Sequence, residues 1–497
     1  MRIRILSVCI FFSLTLAAQN SFYKEKFRPQ FHFTPAIHWA NDPNGLVYYD
    51  GEYHLFYQFN PFGNVWGHMS WGHAVSKDLL HWQHLPLAIP EENGVMIFSG
   101  GCAVDKNNSS GFAEKPGQVP MVAIYTGHIE GANQSQHLAY SLDNGRTWKK
   151  YNKNPVLDLG LKDFRDPQVF WYELQKKWVM TVAVPLEKKV RFYNSSNLKE
   201  WKLVNSFGPA GDTTGIWECP DLFEVPVKDE PGKTKWVLML SPAPYMQYFV
   251  GDFDGAVFKS ETISAKIYRP DYGPDYYAAI VYKNLPSGSS PISIGWVNNW
   301  NYANDIPTTP WKSAMSLPRK LSIKKINNEW LLIQEPVDAV RTLRSSLLAQ
   351  VKNSIIEKSN SLPVKTQQCE MEISFEPAKE AICGVRLATG NGHEVEIGYN
   401  NLSKTMYIDR SKTANRSFNK FFDSLSRYET NLLLKNNQLR LHIYFDKSII
   451  EVFADDGEVV MTLQLFPDDA DTSVEIFSDK GRSRIKDMKL WKLESVW

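Results

Sequence analysis

The sequence predicts an all-β protein in which a five-bladed β-propeller precedes a C-terminal β-sandwich. Long amphipathic helical patterns are nearly absent from residue 22 to residue 335, where short strand-like runs dominate. Hairpins of two such runs recur near residues 46–59, 121–127, 169–184, 222–241 and 277–297. One hairpin per blade at regular spacing is typical of a propeller, and the count predicts five blades.

A second repeat is a polar turn that ends in tryptophan. Residues 76–82, 141–148 and 195–201 each start with Ser, carry Asp or Asn two positions later and end with Trp. The stretches are about one blade apart, so we expect each to connect outer strands of its blade. This periodicity supports the propeller prediction.

The pattern changes after Glu335. Val340, Leu343, Leu347 and Val351 follow helical spacing, which predicts a linker with a short helix over residues 336–358. Beyond it, seven or more short alternating strands separated by polar turns predict a β-sandwich over residues 359–497. The propeller is therefore assigned to residues 19–335.

The N-terminus has the features of a secretory signal peptide. Arg2 and Arg4 precede an apolar run from residue 5 to residue 16, and Ala17-Ala18 supply small residues for cleavage. The run is too short to span a bilayer. We expect residues 1–18 to be removed near Ala18 and the protein to be exported, either secreted or periplasmic.

Charge and cysteine spacing exclude several kinds of partner. The net charge of +1 gives no electrostatic reason to expect nucleic acid or a membrane surface as partner. Cys102, Cys219, Cys369 and Cys383 lack the spacing of a zinc site, and no metal or cofactor is predicted. Cys369 and Cys383 can form a disulfide or remain free thiols, and the sequence leaves both open, as it does the oligomeric state.

Three acidic residues stand next to prolines at the head of the repeated hairpins. They are Asp42 in Asn41-Asp42-Pro43, Asp166 in Arg165-Asp166-Pro167 and Glu218 in Glu218-Cys219-Pro220. Each stretch alone is an ordinary turn or surface pair. Their shared position suggests that several blades aim carboxylates at one cleft, which is the equipment of a glycoside hydrolase.

Glycoside hydrolysis needs one protonated and one ionised carboxyl group. Glu218, flanked by Trp217, Cys219 and Pro220, is predicted to have a raised pKa and to act as the acid. Asp42 has asparagine neighbours and Asp166 follows Arg165, so both are predicted to stay ionised. Cys219 is predicted to pack rather than to act as a nucleophile.

Several strings resemble glycoside hydrolase family 32, the β-fructosidases. They include residues 38–45 (HWANDPNG), 98–100 (FSG), 165–167 (RDP), 217–223 (WECPDLF), 248–255, 271–278 and 448–453. The resemblance covers nearly the whole mature chain in the family's order. It implies a five-bladed propeller joined to a β-sandwich and a retaining mechanism at C2 of a fructofuranose.

The resemblance also implies a role for each acid and a set of pocket residues. Asp42 would be the nucleophile, Glu218 the acid/base and Asp166 the transition-state stabiliser. The implied fructose pocket is lined by Asn41, Gln58, Trp66, Ser99, Arg165 and Trp300. We expect an exo-acting hydrolase that releases fructose from inulin, levan or sucrose-type carbohydrate.

Other functions compete with this interpretation. Residues 141–148 match the Asp-box of sialidases, but a sialidase needs several arginines around its substrate carboxylate and a Tyr nucleophile. An endo-acting enzyme or a fructosyltransferase on the same site, and a non-catalytic fructan-binding protein, are the remaining alternatives. The sandwich can brace the propeller or bind glycan, and bracing is favoured.

Overall fold

The computed structural model describes residues 22–263 and 265–497, so the predicted signal peptide lies outside the described residues. The described chain forms a five-bladed β-propeller followed by a β-sandwich, which confirms the predicted fold class. Among the described residues, no helix is long and apolar enough to cross a bilayer.

The first four blades are antiparallel sheets whose strands follow one another in the chain. Blade 1 holds β1 (His38–Tyr49), β2 (Glu52–Asn60), β3 (Ser70–Ser76) and β4 (Gln83–Ile89). Blade 2 holds β5 (Val95–Val104), β6 (Met121–Ile129), β7 (Gln134–Ser141) and β8 (Lys149–Lys150). Blade 3 holds β9 (Arg165–Tyr172), β10 (Lys177–Val184), β11 (Lys189–Ser195) and β12 (Lys202–Phe207), with 3-10 helices at Glu173–Gln175 and Pro185–Glu187. Blade 4 holds β13 (Trp217–Pro226), β14 (Thr234–Pro242), β15 (Gln247–Phe253) and β16 (Phe258–Ser260).

Blade 5 closes the ring. It contains β17 (Tyr277–Val281), β18 (Ile292–Val297), β20 (Ala314–Met315), β21 (Arg319–Ile326) and β22 (Glu329–Pro336). β19 (Trp311–Lys312) follows β18 in the chain but belongs to the sheet of blade 1. β19 pairs in parallel with β1, with Trp311 opposite His38. This pairing joins the last blade to the first and fixes the position of the strand that carries Asp42.

The tryptophan-ended stretches form the same turn in blades 1, 2 and 3. In each, a serine hydroxyl accepts a backbone N–H at 2.9 Å, and the indole N–H of the tryptophan donates to the carbonyl of that same N–H residue. The residues are Ser76, Leu79 and Trp82; Ser141, Gly145 and Trp148; and Ser195, Leu198 and Trp201. These turns connect the third and fourth strands, as the repeat predicts, so the Asp-box match is a structural element.

The predicted linker is mostly strand. A 3-10 helix covers only Asp338–Leu343, and Leu347 and Val351 lie on β23 (Arg344–Lys365). β23 pairs along nearly its whole length with β32 (Ser473–Leu493), more than a hundred residues away in the chain. This long-range pairing overrides the helical spacing, and the linker prediction is wrong beyond Leu343.

The sandwich encloses its own apolar core. Between β23 and β32 lie β24 (Gln368–Pro377), β25 (Ile382–Gly390), β26 (His393–Asn400), β27 (Thr405–Lys412), helix α1 (Lys420–Ser424), β28 (Arg427–Asn431), β29 (Leu439–Asp446), β30 (Ile449–Ala454) and β31 (Val459–Gln464). β32 pairs with β25 through its first part and with β24 through its second part, so it links the two layers. Cys369 and Cys383 are buried in this core as free thiols.

Buried ion pairs join the sandwich to the propeller. Arg319 donates two hydrogen bonds to Glu451 of the sandwich, at 2.7 and 3.1 Å, and one to Asp271 at 3.0 Å. His32 bridges Asp446 and Glu451, and Arg410 of the sandwich reaches Asp275 at 2.9 Å. Buried charges need such complete pairing, so the two domains share one polar network. The family-like strings 271–278 and 448–453 lie at this interface.

Candidate active site

The innermost strand of every blade is irregular near its first residues. The pairing register shifts around residues 40–43, 97–100, 165–168, 218–221 and 277–280 of β1, β5, β9, β13 and β17. Asp166, Cys219 and Ala278 take left-handed φ angles of 64°, 48° and 52° at these bulges. Because a bulge re-aims the side chains around it, all five blades can direct groups toward the centre of the ring.

The bulges correct the equivalence of the three acids. The residues that precede the left-handed positions of blades 3, 4 and 5 are Arg165, Glu218 and Tyr277. Glu218 is thus the counterpart of Arg165, and Asp166 is the counterpart of Cys219. The sequence prediction that the acids share one position is wrong by one residue for Glu218, because Cys219 stands between it and Pro220.

All the predicted site residues line one cavity of about 350 Å³ at the centre of the propeller. The carboxylates come from blades 1, 3 and 4. The predicted lining residues are Asn41, Asp42, Gln58, Trp66, Ser99, Arg165, Asp166, Glu218 and Trp300.

Asp42 is buried and held on both carboxylate oxygens. Asn41 Nδ2 donates to Oδ1 at 3.0 Å, and Ser99 Oγ donates to Oδ2 at 2.7 Å. Trp39 Nε1 donates to Asn41 Oδ1 at 2.7 Å, which orients the amide toward Asp42. Hydrogen bonds of this kind favour the ionised carboxylate and fix its direction.

Asp166 is also buried, and the thiol of Cys219 lies between its carboxylate and that of Asp42. Its Oδ2 accepts the backbone N–H of Cys219 at 2.9 Å. Cys219 Sγ lies 3.5 Å from Asp42 Oδ2 and 3.7 Å from Asp166 Oδ2. Burial, followed by the charges of the neighbouring carboxylates, raises the pKa of this thiol well above its usual value. The thiol therefore keeps its proton and acts as a spacer between two acids.

Glu218 is bound on both oxygens by its counterparts in the neighbouring blades. Arg165 donates from Nε at 3.1 Å and from Nη2 at 3.0 Å to Oε1, and Tyr277 donates to Oε2 at 2.6 Å. Arg165 Nη1 is held in turn by Asp163 at 2.7 Å and Gln134 at 3.1 Å. The acid is fixed by a guanidinium that has no freedom to turn.

The sequence predicts that Asp42 and Asp166 stay ionised because of their neighbours in the chain. In the structure, burial acts against this by favouring the protonated form of both carboxyl groups. Burial raises the pKa of Asp42, against the hydrogen bonds from Asn41 and Ser99. Burial also raises the pKa of Asp166, and the charges of Glu218 and Asp42 add to the effect, whereas Arg165 opposes it. Arg165 Nε is 4.0 Å from Asp166 Oδ2 because the guanidinium is bonded to Glu218.

Aromatic side chains form the wall and the rim. Trp300 packs against Trp39 and Trp296, with ring centroids 6.2 and 4.8 Å apart. Trp66 stands at the rim with 39% of its surface exposed. Gln58, which also lines the cavity, donates to the carbonyl of Ile97 at 3.0 Å.

Four further residues line the cavity that the sequence prediction omitted: Phe98, His128, Gln134 and Asp163. Phe98 lies inside a family-like string, and Asp163 precedes Arg165 by two residues, so both could have been found from neighbouring motifs. His128 and Gln134 flank the turn between β6 and β7 and carry no local signal.

Among the described residues, two clusters of potential metal ligands lie in the sandwich, away from the cavity. One consists of Glu370, Glu372 and His442, and the other of His393, Asp468 and Asp471. In the first cluster, Arg344 donates to both glutamates and offsets part of their negative charge.

Comparison with known families decides the assignment of the chain. Residues 32–336 match the glycosyl hydrolases family 32 N-terminal domain, and residues 339–492 match the family's C-terminal domain. The chain belongs to glycoside hydrolase family 32. As a family 32 protein it is a glycoside hydrolase, and the predicted resemblance is confirmed.

Several family 32 proteins are similar over nearly the whole chain. The levanase of Bacillus subtilis (strain 168) is 43% identical over 100% of this chain and 76% of its own length. The extracellular exo-inulinase of Aspergillus niger is 36% identical over 96% of both chains. Among solved structures, the exo-inulinase of Aspergillus awamori superposes with a TM-score of 0.91 at 35% identity, covering 96% of this chain and 100% of that one.

The β-fructofuranosidase of Schwanniomyces occidentalis, solved with fructosyl-erythritol, superposes with a TM-score of 0.85 at 32% identity. It covers 95% of this chain and 99% of that one. The sialidase alternative is therefore discarded, since this family 32 chain carries the Asp-box stretch only as an outer turn of blade 2.

Proposed function

We propose that this protein is a secreted, retaining β-fructosidase that cleaves β-D-fructofuranosyl linkages of fructans and of sucrose. We propose further that it acts from the chain end and releases fructose. The convergence of Asp42, Asp166 and Glu218 in one aromatic-walled cavity carries the proposal. Similarity to a levanase and to an exo-inulinase supports a fructan substrate, and similarity to an extracellular exo-inulinase supports export.

In the first step, an Asp42 oxygen forms a bond to C2 of the fructosyl unit as the bond from C2 to the leaving oxygen breaks. Glu218 gives its proton to that oxygen, so the leaving sugar departs as an alcohol. Ser99 and Asn41 hold the attacking carboxylate in place. Arg165 and Tyr277 orient Glu218, and we assign the position of the leaving oxygen to the space next to its carboxyl group.

In the second step, Glu218, now ionised, takes a proton from water as the water oxygen bonds to C2. The bond to Asp42 breaks, and fructose leaves with its configuration retained. Asp166 accepts one backbone N–H on Oδ2, and we assign its other oxygen to fructose hydroxyls. Positive charge that develops at the sugar ring in both steps is stabilised by the Asp166 carboxylate and by the partial negative charge on Asp42 as its bond to C2 forms or breaks.

The shape of the cavity favours action at a chain end. Trp300 lines the cavity and is supported by packing against Trp39 and Trp296. The exposed Trp66 marks the open rim. We propose that this cavity of about 350 Å³ accepts a terminal fructosyl unit and leaves the rest of the fructan chain outside the rim.

Product analysis over time tests the proposal. The protein is incubated separately with inulin, levan and sucrose, and products are resolved from the first per cent of conversion. Fructose as the first product from the polymers is expected. A ladder of oligosaccharides from the outset would indicate endo-action, longer oligosaccharides from sucrose would indicate transfer, and no turnover of any of the three would refute a β-fructosidase.

A further inference from the structure

His128 lines the same cavity as the three acids and lies on β6, the strand that supports Asp166. The backbone N–H of Asp166 donates to Thr126 Oγ1 of β6 at 2.9 Å. His128 follows two residues later on the same strand, so its side chain points to the same face about 7 Å further along. That direction leads to solvent, since Ile129 and Glu130 are exposed.

The imidazole is held flat against the cavity wall. Its ring stacks on Phe98 with centroids 4.4 Å apart and planes inclined by 12°. Trp66 meets the same phenyl ring edge-on at 6.0 Å. His128 has 17% of its side chain exposed and lines the cavity.

Its hydrogen bonds fix which ring nitrogen carries the proton. Gln134 Oε1 accepts from Phe164 N at 3.0 Å and from Arg165 Nη1 at 3.1 Å, and neither of these groups can accept. The amide NH₂ of Gln134 must therefore face His128, whose Nδ1 lies 3.3 Å away. Nδ1 accepts this bond, so the neutral ring has its proton on Nε2.

Nε2–H is a donor without a close protein acceptor in the described parts of the chain. The nearest carboxylate oxygen, from Glu130, is 3.6 Å away on a side chain that is 91% exposed. Phe98 and Gln134 prevent the ring from turning toward another acceptor. The donor is thus fixed in direction and left for a ligand.

We propose that His128 donates from Nε2 to a hydroxyl of the sugar unit on the leaving-group side. This inference rests on the proposed function and names a specificity-determining residue for it. The terminal fructosyl unit occupies the space among the three acids, so the next unit meets the cavity wall at the level of His128. A fructosyl substrate without a second sugar has no group for this donor.

The test compares His128→Phe with the wild-type protein on three substrates. Phenylalanine keeps the stack on Phe98 and removes the donor. Methyl β-D-fructofuranoside has no sugar as leaving group, whereas sucrose and an inulin-type trisaccharide do. His81→Phe, on an exposed outer turn, is the matched control, and His128→Gln is a second variant in case phenylalanine disturbs folding.

We expect His128→Phe to raise KM for sucrose and the trisaccharide by roughly 3- to 10-fold, the range of one neutral hydrogen bond. Its kcat should change less than two-fold, and methyl β-D-fructofuranoside should be cleaved as by the wild type. An equal change on all three substrates, or none on any, would overturn the inference. A wild-type protein inactive on all three would instead remove the proposed function.

Discussion

Arg165 and Glu218 occupy the same structural position in neighbouring blades, and the guanidinium donates twice to one oxygen of the carboxylate. Tyr277 occupies this position in the next blade and binds the other oxygen at 2.6 Å. The repeated blade thus provides both the proposed acid/base and the two groups that orient it.

Replacing Arg165 by lysine keeps the charge but loses the planar pair of donors. We expect kcat/KM for sucrose to fall by roughly 100-fold, since a displacement of about 1 Å of a catalytic group has this effect. Steady-state kinetics at the pH optimum provide the measurement. Lys176, exposed on a turn of blade 3, serves for a control substitution to arginine. An Arg165→Lys variant with near wild-type kcat/KM would show that a single charge suffices.

Removal of the Tyr277 hydroxyl leaves Glu218 Oε2 without its donor. We expect Tyr277→Phe to lower kcat by roughly 10-fold with little change in KM, because the acid loses orientation and not contact with substrate. Tyr282→Phe is the matched control, since that buried hydroxyl has no partner among the described residues. If both variants behave alike, the hydroxyl of Tyr277 has no part in orienting the acid.

Neutral replacements of Asp42 and Glu218 separate the two chemical steps. We expect Asp42→Asn to lower kcat by roughly 1000-fold or more on every fructoside. Glu218→Gln should lower kcat/KM for sucrose by a similar factor but act less on kcat/KM for p-nitrophenyl β-D-fructofuranoside, whose leaving group needs no proton. An equal loss of kcat/KM on both substrates would contradict the acid role of Glu218.

Asp166 is predicted to lower stability at neutral pH. Its pKa is raised in the folded protein by burial and by nearby carboxylates, so the folded state binds its proton more tightly than the unfolded state. Stability therefore falls as pH rises through the interval between the two pKa values. Asp166→Asn should raise the free energy of unfolding at pH 7 by roughly 1–3 kcal/mol, and the gain should disappear below pH 4.

Urea unfolding of both proteins at pH 4 and pH 7 measures this difference, and a gain of equal size at the two values would exclude the ionisation of Asp166 as its cause. Asp254, on an exposed turn, accepts only local backbone N–H groups. It offers a control substitution to asparagine for which no such pH-dependent gain is expected.

The contact between the domains is predicted to weaken in alkali. Bonds to Asp446 and Glu451 outweigh burial and raise the pKa of His32 to about 9. A group with a raised pKa contributes its full stabilisation below its ordinary value of about 6.5, and the contribution is lost as pH rises through 9. The difference in unfolding free energy between wild type and His32→Asn should fall by about 3 kcal/mol from pH 6 to pH 10. A difference that stays constant would show that His32 acts without its charge.

Patterns within single repeats were enough to predict much of the fold and site. The hairpins and tryptophan turns gave five blades because each blade repeats its local pairing. The positions of Asp42 and Asp166 followed from prolines at the heads of inner strands. Glu218 was offset by one residue because the bulge in β13 is not visible in its spacing.

Features that depend on distant residues were not predictable in this way. β23 was mistaken for linker and helix because its partner β32 lies at the far end of the chain. The raised pKa of Asp166 depends on its burial, which could not be predicted from the neighbouring Arg165. His128 and Gln134 lie on blade 2, and Gln134 bonds to His128, Phe164 and Arg165, so their place in the cavity depends on contacts between distant parts of the chain.

The ion pairs shared by Arg319, Glu451 and Asp271 limit how this enzyme can be rebuilt. In a propeller expressed alone, Arg319, Asp271 and Asp275 would lose their partners in the sandwich and become exposed or unpaired charges. A chimera with a foreign sandwich must therefore supply counterparts of Glu451 and Arg410. To exchange specificity within the family, the loops that line the cavity should be replaced, and each propeller should keep its native β-sandwich.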